Sequence, residues 1–209
     1  MSAEKVAYKA VLFDLDGVLV DMREAHFEAL NTALSLFGTK IGDEEHHAFF
    51  NGLPSRKKLL ALEEQCRVQY ELIEFINEIK QLYTREIIPN VCLPNPEKIE
   101  MLLQLKQAGI KVGCCSNSMQ EMVHLMLESS QLFEHFDVLI GNDSVSKPKP
   151  DPEMYIDAMR RLGVSPNETI IVEDSTYGIE AARASGATVY VVKGTEDVHI
   201  GLFGDILSL

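Results

Sequence analysis

The chain has 209 residues, 46% apolar and 24% charged, the balance of a soluble globular domain, which excludes a disordered, fibrous or collagen-like chain. Nineteen Lys and Arg stand against 32 Asp and Glu, a formal net charge of −13. That sign disfavours a generic grip on nucleic acid, and no basic stripe suits a membrane surface.

Ala10-Val11-Leu12-Phe13 reads as a buried strand, stopped by the turn signal Asp16-Gly17. The spacing of Ala25, Leu30, Ala33, Leu34 and Phe37 predicts a helix over 22–37, closed by Gly38. Helical stretches follow over about 43–50, 55–66 and 69–88, and Pro89, Pro94 and Pro96 mark a connection. The pattern then alternates: helix 96–108, strand 110–115, helix 118–130, strand 137–140, helix 152–162, strand 169–172, helix 176–185 and strand 187–192. Such alternation predicts an α/β core with a parallel sheet and helices on both faces. The core comprises residues 1–19 and 90–209, and residues 20–89 form an all-helical insert after the first strand.

No apolar run approaches the ~18 residues of a transmembrane span. The apolar block before Asp14 is too short for a secretory signal, so a cytoplasmic location is expected. Cys66, Cys92, Cys114 and Cys115 form no CxxC pair and read as reduced thiols. Met119, Met122 and Met126 fall at roughly helical spacing and read as core filler.

In open parallel sheets, ligands bind beyond the carboxyl ends of the strands. The residues following the predicted strands are Asp14, Asp16 and Gly17; Ser116 and Asn117; Ser146 and Lys147; and Glu173, Asp174 and Ser175. Asp14 and Asp16 project to the same side of an extended segment, and such close carboxylates repel unless a cation sits between them. With Glu173 and Asp174 they make an oxygen-rich set suited to Mg²⁺, which would also turn a locally acidic edge attractive to an anion. Lys147, Ser116 and Asn117 supply the charge and donors that a transferring phosphoryl group needs. A carboxylate can attack phosphorus, and a second can give and take the proton. Each motif also has a plainer reading. Asp16-Gly17 suits a solvated turn, Ser116-Asn117 and Glu173-Asp174-Ser175 suit helix starts, and Lys147 suits an exposed lysine.

Asp14-Leu15-Asp16-Gly17-Val18, Ser116-Asn117, Lys147-Pro148-Lys149-Pro150-Asp151 and Glu173-Asp174-Ser175, in this order, resemble the four signature motifs of the haloacid dehalogenase (HAD) superfamily. Gly178-Ile179-Glu180-Ala181-Ala182-Arg183-Ala184-Ser185-Gly186 resembles the helix after the fourth motif. The resemblance implies a Rossmann-like core with a small helical cap that closes to exclude water and read the leaving group. It implies Asp14 as nucleophile and metal ligand, Asp16 as general acid/base and metal ligand through its backbone carbonyl, and Glu173 and Asp174 at the metal. It further implies Ser116 and Asn117, beside Gly17, at the phosphoryl group, and Lys147 as the balancing charge. Asp16 points to phosphoryl transfer, since the dehalogenase branch lacks this second aspartate.

The finer likeness is to β-phosphoglucomutase-like phosphatases. Asp21 and His26 are spaced from Asp16 as the corresponding residues are there, which implies a catalytic support role for His26. Gly52-Leu53-Pro54-Ser55-Arg56 resembles the cap stretch whose arginine binds a second phosphate. Lys80 is the candidate cap lysine, although its spacing to Tyr83 is one residue short of that pattern. His46-His47 reads as an exposed pair, since adjacent helical positions do not face one another. The expected function is Mg²⁺-dependent hydrolysis of a small phosphorylated metabolite, a sugar or polyol phosphate, by a monomer or small homo-oligomer. The alternatives are a sugar-phosphate mutase and a non-catalytic binding module on the same fold.

Overall fold

The computed structural model describes residues 8–50 and 54–207, with residues 47, 48 and 205 described by their backbone alone. In chain order the structure has β1 (Ala10–Phe13), α1 (Arg23–Ser35), α2 (Asp43–Glu45), a π-helical turn (His46–Phe50), α3 (Ser55–Glu64) and α4 (Ile73–Val91). Then come α5 (Pro96–Gln107), β2 (Lys111–Cys115), α6 (Gln120–Ser129), β3 (Val138–Ile140), α7 (Glu153–Leu162) and β4 (Thr169–Glu173). The chain continues through α8 (Thr176–Ala184), β5 (Thr188–Val191), short 3₁₀ turns and α9 (Gly204–Leu207).

The described residues form one sheet of five parallel strands, in the order β3-β2-β1-β4-β5. β1 is central and carries only apolar residues, all buried. A parallel strand covered on both faces has no polar side to present, so its sequence is a continuous apolar run rather than an alternating one. Phe13 is in register with Cys114 of β2 and Val172 of β4. Asp14 directly after Phe13, Glu173 directly after Val172 and Ser116 at the end of β2 therefore gather at one edge of the sheet. Leu12, Ile140, Met154, Tyr155, Ala158 and Ile171 belong to the core of this layer. Each large apolar side chain buried there contributes up to about 1.5–3 kcal/mol.

The chain divides into two compact units, Met1–Asp21 with Cys92–Leu209, and Met22–Val91. The second unit is helical around its own core, which includes Phe27, Leu30, Leu34, Phe50, Leu59 and Ile76. Among the described residues, no helix is long and apolar enough to cross a membrane.

Several elements differ from their sequence reading. α4 runs through Pro89 to Val91. Pro89 offers no N–H to the carbonyl four residues back and its ring crowds that carbonyl, and the helix ends two residues later. The helix expected over 43–50 is a three-residue α turn followed by a π turn. His46 is buried and stacks on Phe27 at 4.0 Å between ring centroids, contrary to the exposed pair expected; the side chain of His47 lies outside the described residues. Met122 and Met126 are buried, but Met119 is the exposed N-cap of α6. Cys92, Cys114 and Cys115 are buried and Cys66 is exposed.

α5 begins where the Asn95 side chain accepts from the Glu97 and Lys98 amides, with Pro96 in the first turn. Lys98 is itself buried, and its ammonium donates to the carbonyls of Thr195 at 2.7 Å and Val198 at 3.1 Å. One cation thus ties the start of α5 to the segment after β5. Lys98→Met is expected to lower the unfolding free energy by roughly 2–3 kcal/mol in urea titration, since it removes two charge-assisted bonds and leaves the Val198 carbonyl without its partner, while the Thr195 carbonyl keeps the Val198 amide.

Candidate active site

Asp14 leaves β1 with its amide bonded to the Val172 carbonyl at 3.0 Å, which seats it between β2 and β4. Its carboxylate accepts from the Lys149 ammonium at 2.6 Å, and the same nitrogen donates to Glu173 Oε1, also at 2.6 Å. The side chains are nearly inaccessible: 10% exposed for Asp14, 2% for Lys149 and 0% for Glu173. Burial alone would pull the Lys149 ammonium toward neutrality, but Asp14 and Glu173 more than reverse that and hold its pKa above the usual lysine value. Burial likewise raises Glu173, and Lys149, Tyr155 and the Ser175 amide bring it below the ordinary range. Burial pushes Asp14 well above the usual carboxylate range despite Lys149, and Glu173 and Asp174 add repulsion.

The expected lysine was Lys147, but the structure puts Lys149 in its place. The Lys147 side chain is 73% exposed and lies 4.0 Å from Asp151. The pattern Lys-Pro-X-Pro occurs twice in overlapping register, at Lys147-Pro148-Lys149-Pro150 and at Lys149-Pro150-Asp151-Pro152. Backbone anchors choose between them. The Glu153 carboxylate accepts from the amides of Ser146 and Lys147, both at 2.8 Å. The Asn117 side chain clasps the Lys149 backbone, accepting from its amide at 3.1 Å and donating to its carbonyl at 3.3 Å. The Asn117 side chain thus holds the Lys149 loop. Buried Ser116 accepts from the Ser118 amide at 3.1 Å, which leaves its hydroxyl proton to donate.

Among the described residues, one acidic group could hold a cation: Asp14, Glu173 and Asp174 each place a ligand oxygen within 4.8 Å of the others. The three do not fit that role equally. Glu173 Oε1 accepts from Lys149 and from the Tyr155 hydroxyl at 2.7 Å. Its Oε2 accepts from the Asp174 amide, the Ser175 amide and the Ser175 hydroxyl. Five donors exhaust a carboxylate's capacity of about four lone-pair sites. Glu173, expected at the metal, is spent on Lys149 and the turn into α8, so Asp14 and Asp174 are the carboxylates that fit a cation. Two anionic oxygens beside a half-buried Asp16 suit a hard divalent ion.

Two glycines make the crowding possible. A Cβ on Gly17, whose φ is +90°, would sit 2.1 Å from Asp174 Oδ2. A Cβ on Gly178 would sit 1.8 Å from Glu173 Oε1. Gly17→Ala is expected to strain the turn and displace Asp174, weakening activation by divalent cation at least about tenfold in a metal titration of activity.

In the helical unit, Lys80 and His26 are brought together, with Nζ and Nδ1 3.3 Å apart. Burial, then Lys80 and Lys58, hold His26 well below the usual imidazole pKa, so Nδ1 accepts from the ammonium. Arg56 is 55% exposed and pairs with Glu74 at 2.8 Å. Gly52 and Leu53 of the same stretch lie outside the described residues. Tyr155 sits at a core position of α7, where its spacing does not distinguish it from an apolar residue.

Known proteins resemble this chain in sequence and in fold. A family model described as haloacid dehalogenase-like hydrolase matches residues 11–192. The chain is 33% identical over 178 residues to a phosphorylated carbohydrates phosphatase of Thermotoga maritima, covering 85% of this chain and 82% of that protein. It is 28% identical over 200 residues to a validoxylamine A 7'-phosphate phosphatase of Streptomyces hygroscopicus subsp. limoneus, covering 96% and 92%. Among solved structures, a β-phosphoglucomutase from Clostridium difficile superposes with a TM-score of 0.79 over 96% of this chain and 97% of that one; at 23% identity the likeness concerns the fold.

Proposed function

The chain belongs to the haloacid dehalogenase-like hydrolase family, and from that premise we propose that it is a Mg²⁺-dependent phosphatase for a small phosphorylated metabolite, a sugar or polyol phosphate. The observation that carries the reading is the Asp14 carboxylate at the end of the central strand, 2.6 Å from a buried ammonium and beside Asp174. The similarity to a phosphatase of phosphorylated carbohydrates supports the substrate class.

Asp14 and Asp174, with the Asp16 backbone carbonyl, would hold Mg²⁺. When bound, the ion supplies positive charge to the phosphoryl oxygens and to Asp14. Lys149 keeps positive charge on Asp14 and the equatorial oxygens, and Ser116 donates its hydroxyl to them. An Asp14 oxygen attacks phosphorus, the bond from phosphorus to the substrate oxygen breaks, and the Asp16 carboxyl gives its proton to the departing alkoxide. The products are the alcohol and an aspartyl-phosphate. Asp16, now ionised, takes a proton from water as the water oxygen attacks phosphorus. The bond to Asp14 breaks, inorganic phosphate leaves, and both aspartates return to their starting states. Lys80 is the candidate substrate-binding lysine of the helical unit, and His26, 3.3 Å from it, is a candidate catalytic support residue.

Phosphate release from a panel of sugar, polyol and nucleoside phosphates tests the reading. Release from one or more sugar or polyol phosphates is expected, falling roughly 100-fold or more when EDTA removes the metal and returning with Mg²⁺. A folded sample that releases no phosphate from any panel member in Mg²⁺ defeats the proposal. Conversion of a hexose 1-phosphate to its 6-phosphate without free phosphate would replace it with the mutase reading.

A further inference from the structure

We propose that Tyr155 is a positioning residue that apportions the Lys149 ammonium between Asp14 and Glu173, and so keeps it on the nucleophile. The consequence for catalysis rests on the phosphatase reading; the positioning itself does not.

Tyr155 lies on α7 and is fully buried. A buried phenol needs a partner for its proton, and this one has an ionised carboxylate: the hydroxyl donates to Glu173 Oε1 at 2.7 Å. That oxygen is also the one that accepts from Lys149 at 2.6 Å. The Lys149 nitrogen lies 4.8 Å from the centroid of the Tyr155 ring, within range of a cation–π attraction. One side chain thus touches both halves of the Lys149–Glu173 pair, the hydroxyl on the anion and the ring face on the cation.

The geometry at Lys149 is a competition. One ammonium sits between two carboxylates at equal distances of 2.6 Å. Glu173 is the more completely buried of the two, and an unshared Oε1 would draw the ammonium toward itself and off Asp14. A second donor on Oε1 takes up part of that oxygen's charge and weakens the pull. The ring fixes the direction from which the nitrogen approaches. No ligand contact by Tyr155 is needed, because it acts through Lys149.

Tyr155→Phe keeps the ring and its packing and removes only the hydroxyl. In steady-state hydrolysis of a generic aryl phosphate with Mg²⁺, kcat is expected to fall about tenfold, with KM within about twofold and Tm within a few degrees of wild type. Tyr155→Leu removes the ring as well and is expected to fall further. A readout independent of turnover is the ¹H–¹⁵N signal of the Lys149 ammonium, assigned by its absence from Lys149→Arg. In wild type the doubly bonded, buried ammonium gives a sharp signal, and in Tyr155→Phe it broadens or shifts. For an active wild type, a fall in kcat together with an altered ammonium signal supports the proposal. Unchanged kcat, or a fall in kcat with an unmoved signal, overturns it. If the wild type releases no phosphate, the phosphatase reading fails by itself. The ammonium signal then decides the positioning: an altered signal supports it and an unmoved one overturns it.

Discussion

Asp14→Asn is expected to release phosphate at least about 10⁴-fold more slowly than wild type while folding normally. An amide cannot displace the alkoxide from phosphorus, and removal of a nucleophile that works as part of a unit forfeits most of what the unit supplies. The variant should not be destabilised. Glu173 and Asp174 both repel the Asp14 carboxylate, and burial opposes its ionisation, so a neutral isostere relieves strain. Lys149 retains Glu173 as its partner. The measurement is single-turnover phosphate release, with a melting curve on the same sample. Residual turnover above about one percent of wild type, in protein free of contaminating phosphatase, would falsify the assignment of Asp14 as nucleophile.

The second large effect separates two lysines that stand two residues apart. Lys149→Met is expected to cost about 10²–10³ in kcat, as removal of one preorganised charge at a developing anion does. It also leaves Asp14 and Glu173 buried without their shared cation, which destabilises the fold by about 3–5 kcal/mol. Lys149→Arg keeps the charge and the fold but cannot place one compact nitrogen between two oxygens, so at least about tenfold of the loss should remain. Lys147→Met removes an exposed side chain and is expected to change stability by no more than about 0.5 kcal/mol and activity by less than twofold. Denaturant titration and initial rates on the three variants check this. Equal losses at both positions, or a larger one at Lys147, would reverse the assignment.

These two lysines show how far the chain could be read before it was folded. The alternation of apolar strands with amphipathic helices after residue 95 announces a parallel α/β layer, because hydrophobic period is a local property. The run Ala10-Val11-Leu12-Phe13 announces a buried strand, since a strand covered on both faces has no polar side to present, and its central place comes from the sheet order. Once strands are placed, the rule that ligands gather beyond their carboxyl ends marks Asp14, Ser116, Glu173 and Asp174. Their convergence needed the register of Phe13 with Cys114 and Val172, but it was already implied by the order of the motifs.

Loops and side-chain direction carry no such period. Lys147-Pro148-Lys149-Pro150 offers two equivalent lysines to any pattern. The choice between them is made by the Glu153 carboxylate, six residues beyond Lys147, and by the Asn117 amide, 32 residues before Lys149. Asn117 looked like a ligand contact because an amide after a strand can serve either a phosphate or a backbone, and only the folded loop shows which it meets. Glu173 looked like a metal ligand because a carboxylate declares its charge but not its neighbours, and five donors had already claimed it. Tyr155 could not be distinguished from its apolar neighbours on α7, since its burial is helical and its hydroxyl bond reaches β4. The order of elements and the chemical type of the site followed from local composition and spacing. Which cation meets Asp14, and what holds it there, was decided only when distant segments packed together, because that choice depends on hydrogen bonds between residues that local spacing does not relate.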